Sequence, residues 1–89
     1  MHTYIVSCDL DASAHKYKIF SHKIREYPNW TRITFSCWCI RTNKSAPILC
    51  SELREVLDYN DSLFVAELAQ EATWFNLPEE VTKWLKNNC

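Results

Sequence analysis

Not one of the 89 residues is glycine. Any turn that needs a positive φ must therefore use the next most tolerant residues, Asn and Asp. Asn29, Asn43, Asn60 and Asn76 all fall where the pattern predicts turns. The same absence excludes the Gly-rich loops that cradle phosphates in dinucleotide-binding and P-loop proteins. A chain of this length supports one core, so residues 1–89 are expected to form a single domain. Hydrophobic residues make up 47% of it, with four Trp, four Tyr and four Phe, enough for one compact core rather than a disordered chain.

The stretch Tyr4-Ile5-Val6-Ser7-Cys8-Asp9-Leu10-Asp11 opens the order of elements. It reads as a strand of about 3–8, with Tyr4, Val6 and Cys8 on one face and Ile5 and Ser7 on the other. Apolar residues on both faces predict a strand inside its sheet, delivering the carboxylate of Asp9 to its end. A polar loop over 9–14 leads to a helix over 14–26. Its apolar stripe is Tyr17, Phe20, Ile24 and Tyr27, and Pro28 ends it. Residues 30–42 are rich in β-branched and aromatic side chains and exceed one ordinary strand. Two strands, 30–34 and 37–42, with a tight turn between them fit best. Ser45 is an N-cap candidate for a helix over 46–57 that buries Leu49, Leu53, Val56 and Leu57. A last strand spans 62–68, and a final helix starts at Pro78, with Glu79 and Glu80 in its first turn and Lys83 and Lys86 near its end.

The order β-α-β-β-α-β plus a helix predicts an α+β, ferredoxin-like domain. This is a four-stranded antiparallel sheet with two helices on one face, a core over about 3–69 and a C-terminal helical extension over about 70–89. The first and third strands are central in that arrangement. The sheet face turned away from the two helices must be covered by the third helix, a partner or a ligand.

Charge is uneven. Residues 1–50 carry seven Lys/Arg against three Asp/Glu, and residues 51–89 carry three against eight. Lys16, Lys18, Lys23 and Arg25 on the first helix are the candidate nucleic-acid-binding residues, and a solvated helix face is the plainer reading of them. His15 and His22 are candidate bases or ordinary surface histidines. The four Trp are candidate stacking platforms for bases, or core and interface residues. The five Cys read as reduced thiols, because their number is odd and Cys8 and Cys50 sit in apolar patterns. Cys37 and Cys39 lie too close together for a zinc knuckle, and no further ligands stand at a tetrahedral spacing. No apolar run reaches the roughly 18 residues that span a bilayer. Met1-His2-Thr3 offers no basic segment leading into an apolar one, so the expected location is cytoplasmic, with no membrane partner.

Three stretches carry a family likeness: the strand ending at Asp9 and continuing Leu10-Asp11, Ser36-Cys37-Trp38-Cys39, and Asp61-Ser62-Leu63-Phe64-Val65. The chain resembles the small ferredoxin-fold proteins related to the CRISPR-associated Cas-two protein and to VapD ribonuclease toxins. Its closing Trp74-Phe75-Asn76-Leu77-Pro78-Glu79-Glu80 is similar to a bacterial and phage subgroup labelled "SinR family". The resemblance implies a homodimer in which Asp9 of each copy approaches the two-fold axis. Where such proteins are nucleases, Asp9 would be the catalytic residue and ligand of Mg²⁺ or Mn²⁺, hard cations that take oxygen ligands. Ser36 matches a serine of the same family. Cys8 stands where an aromatic residue commonly precedes the aspartate, and His15, Lys16 and Lys18 replace a usual arginine pair. The resemblance therefore implies a dimeric interaction or scaffold protein, associated with RNA, DNA or a protein partner; its alternative is a metal-dependent endonuclease.

Overall fold

The computed structural model describes residues 1–11 and 14–89. Part of the expected polar loop, residues 12 and 13, lies outside them. Elements run β1 (His2–Asp9), α1 (Ala14–Ile24), β2 (Trp30–Thr34), β3 (Cys37–Thr42), α2 (Ala46–Leu53), β4 (Ser62–Glu67) and α3 (Glu79–Asn88). The four strands form one antiparallel sheet in the order β2-β3-β1-β4, so β1 and β3 are internal. This four-stranded antiparallel sheet with three helices is consistent with a ferredoxin-like α+β fold.

Register sorts the side chains. Tyr4 pairs with Ile40 and Val6 with Trp38, and all four share the face that receives α1 and α2. Phe20 and Ile24 of α1 and Leu49 and Leu53 of α2 close on them, each fully buried. The opposite face carries Thr3, Ile5, Ser7 and Asp9 of β1, with Cys37, Cys39 and Arg41 of β3. There Val81 and Leu85 of α3 pack on Cys39, joined by Ile5, Ile33, Leu68, Trp74, Leu77 and Trp84.

Helix ends differ from the sequence expectation for physical reasons. α1 stops at Ile24 rather than near 26 because Pro28 bars Tyr27 from the helical region. The chain tightens first: Glu26 N–H donates to Lys23 and Tyr27 N–H to Ile24, three residues back. α2 ends at Leu53, and a 3₁₀ turn over Arg54–Val56 completes the stretch expected to be helical to 57. Ser45 does cap α2, its Oγ accepting from Ile48 N–H at 3.4 Å. The Phe35-Ser36 turn has no positive φ, and Asn76, at 61°, is the one such residue described. Asn29, Asn43 and Asn60 therefore do not have the positive φ that the lack of glycine suggested. Without a primed turn the hairpin needs another route to its twist, and the register shifts between Arg32 and Thr34.

A polar latch fixes α3 to the sheet. The backbone carbonyl of Asn88, at the helix C-terminus, accepts from Thr3 Oγ1 and, at 2.9 Å, from Arg41 Nη1. Asn29 donates to Asn88 Oδ1 at 2.8 Å and accepts from Trp84 Nε1 at 2.8 Å. A guanidinium at a helix C-terminus also meets the negative end of the dipole. Arg41→Ala is expected to cost about 1.5–3 kcal/mol, the range for a charged hydrogen bond. Hydrogen exchange should rise in α3 before it rises in β1, and equal rises in both would refute the latch.

Candidate functional site

β1 carries Asp9 to the edge of the α3-side face, opposite Ser62 of β4, and leaves it exposed. Among the described residues its carboxylate joins no ion pair. No group of three or more His, Cys, Asp or Glu among them stands close enough to hold a metal ion.

The acid with the most contacts nearby is Asp61, whose side chain is closed to solvent. Its Oδ1 accepts from Asp11 N–H at 2.9 Å and its Oδ2 from Asp58 N–H at 2.9 Å, while Lys16 Nζ stands 2.7 Å away. Asp61 thus ties the start of the loop after β1, the helix α1 and the turn before β4 together. The Lys16 ammonium and then the backbone donors push its pKa down to about 2. A carboxyl depressed on folding stabilises the fold fully above its ordinary value of 3.8, and that contribution is lost as pH falls from there to about 2. Asp61→Asn should flatten the urea-midpoint profile in that window; an unchanged profile would contradict this role.

The four basic candidates, three on α1 and Arg25 just past its end, divide into two pairs. Lys16 is held by Asp58 and Asp61, both at 2.7 Å. Lys23 is held by Glu55 at 2.8 Å and Glu26 at 3.4 Å. Their carboxylate partners raise the pKa of both amines. Lys18 and Arg25 are exposed, and among the described residues neither pairs with a carboxylate. Arg25 instead stacks over Trp30, 5.8 Å from the ring centre. His15 and His22 are exposed on the same helix.

Burial works against thiolate formation at four of the five cysteines. Burial pushes Cys8 up to about 11 and Cys39 up to about 12, and it raises Cys37 and Cys89 as well. All five cysteines are free.

Three residues on the sheet and its β2–β3 turn, exposed or stacked, were given no functional role in the sequence reading. Phe64 on β4 is 62% exposed and faces the same side as Asp9. Phe35, in the β2–β3 turn, is 60% exposed. Arg32 stacks on Phe35 and Trp38 at 4.9 and 4.7 Å. The signal for Phe64 was its place in a short strand, one position out of phase with half-buried Leu63 and Val65.

Neither a protein-family model nor a curated protein matches the chain. A solved structure does: the hypothetical protein TT1823 from Thermus thermophilus, at TM-score 0.67 and 19% identity, over 86% of this chain and 94% of that one. At that identity the likeness shows the fold alone. No described helix is long and apolar enough to cross a membrane.

Proposed function

We propose that the chain is a ferredoxin-like βαββαβ protein of the Cas-two and VapD type that works as a homodimeric interaction or scaffold protein associated with nucleic acid in the cytoplasm. One observation carries the reading: α3 covers only part of the sheet face turned away from α1 and α2. The row Cys37, Ser7 and Phe64 crosses β3, β1 and β4, half-buried at Cys37 and Ser7 and exposed at Phe64. An exposed aromatic in a sheet row, continuous with an apolar cluster, is what a second copy buries. A stable pair needs about 800 Å² per partner, a modest part of the 5889 Å² surface. Lys18 and Arg25, which pair with no carboxylate among the described residues, supply positive charge for RNA or DNA.

The second reading, a metal-dependent endonuclease, is favoured by the placement of Asp9 on that same face. Pairing there would bring two Asp9 carboxylates toward one axis, where Mg²⁺ or Mn²⁺ would have to be shared between copies. Labelled RNA and DNA incubated with either metal, with native protein and Asp9→Asn in parallel, separates the two. The scaffold reading expects salt-sensitive binding and no cleavage by either protein. Cleavage lost in Asp9→Asn, with dimer and fold retained, would replace it with the nuclease.

A further inference from the structure

A groove of about 760 Å³ runs along α1 on the side of edge strand β2, and its lining includes Tyr17, Lys18, Arg25, Arg32 and Phe35. Register places Arg32 with Trp38 on the helix side of the sheet, opposite the face that carries Asp9. Its cations lie against rings, with Tyr17 and Phe35 in the lining and Trp30 and Trp38 outside it, and Glu26 is the one acid among the lining residues. Arg25 lies over Trp30, Arg32 over Phe35 and Trp38, and Tyr17 meets Phe35 with centroids 4.6 Å apart. Arg32 is also held by the Phe35 carbonyl, through Nε at 3.2 Å and Nη2 at 2.6 Å, so the ring and the guanidinium are mutually positioned.

An exposed phenylalanine at a two-residue turn contributes little to the core. Backed by Tyr17 and Arg32, it presents an aromatic surface beside Lys18 of α1 and Arg25 just past its end, neither of which has a carboxylate partner among the described residues. A flexible anion with flat apolar units fits this pattern: phosphates against Lys18 and Arg25, a base on Phe35. The paired bases of a duplex hide the faces that Phe35 would stack on. An acidic peptide would meet the charge and leave the ring unused. α1 is about 16 Å long, room for a few nucleotides.

We infer that the groove between α1 and the β2–β3 turn binds single-stranded nucleic acid, with Phe35 as the stacking platform and Lys18 and Arg25 as phosphate contacts. This rests on the nucleic-acid part of the reading above and assigns it a site separate from the sheet face of Asp9 and Phe64.

The test is fluorescence anisotropy of a labelled twelve-nucleotide oligothymidylate across a salt series, with a duplex of equal length and polyglutamate as competitors. Phe35→Ala, whose side chain is exposed, should melt like the native protein and bind about tenfold more weakly, as expected for one lost stack. Lys18→Gln and Arg25→Gln should each lower the slope of log affinity against log salt by about 0.7. Competition by duplex or polyglutamate as strong as that of unlabelled oligothymidylate would overturn the inference. Unchanged binding in Phe35→Ala, with the charge variants still weakened, would overturn the groove and leave nucleic-acid association standing. No binding even at low salt would overturn both.

Discussion

Trp38→Ala is expected to lower the urea midpoint more than any other single change considered, and to abolish cooperative folding if the domain's stability lies at the low end of its range. Trp38 is fully buried on β3, edge-on to Phe20 at 5.3 Å and 71°, and under the Arg32 guanidinium. Deleting a buried indole costs about 3–5 kcal/mol through lost transfer energy and the cavity left behind. A domain of this length has a stability on the order of 4–13 kcal/mol, so the change removes from about a quarter to all of it. Trp38→Phe separates packing from hydrogen bonding. Trp38 Nε1 is buried without a partner among the described residues, and such a group carries a penalty of about 1–3 kcal/mol. Phenylalanine removes that orphan donor while keeping a ring against Phe20, so its cost should be less than half that of alanine. Urea unfolding of the two variants decides the point, and equal losses would mean that the indole shape, not apolar volume, holds this end of the core.

Phe64→Lys is expected to convert a dimer to a monomer with the domain intact. The side chain stands out of the sheet beside Ser7, so lysine strains nothing within one copy. In a pair formed through this face, two ammonium groups would be forced together where two rings had been. Juxtaposed like charges cost several kcal/mol, which weakens association by about 100-fold or more. Circular dichroism should be unchanged while the mass halves. A variant that loses secondary structure along with its dimer would place Phe64 in the fold rather than in an interface.

The sequence was informative wherever a side-chain period repeated. Apolar residues on both faces of β1 placed it inside the sheet, and the run from Trp30 to Thr42 divided at Phe35-Ser36 because its length exceeds one strand. The Tyr17, Phe20, Ile24 stripe located the inner face of α1. Long-range pairing left no such trace. Lys16, Lys18, Lys23 and Arg25 read alike as a basic helix surface, yet Lys16 finds Asp61 forty-five positions away and Lys23 finds Glu55. Asp61 itself stood out only as the first residue of the stretch leading into the last strand, since nothing local reveals that three elements converge on its carboxylate. The positive-φ expectation for Asn29 failed for a related reason. Its amide serves the latch between β2 and α3, a contact made with residues more than fifty positions later. Partial cover of a sheet face is likewise invisible in one dimension, because it depends on where α3 comes to rest.

Sedimentation equilibrium of the native chain beside Phe64→Lys tests the central claim most directly. Twice the 10.5 kDa chain mass is expected for the native protein at micromolar concentration, and the single mass for the variant. A native chain that stays at 10.5 kDa at every concentration, or a dimer that survives the lysine, would contradict pairing through the face that α3 leaves uncovered.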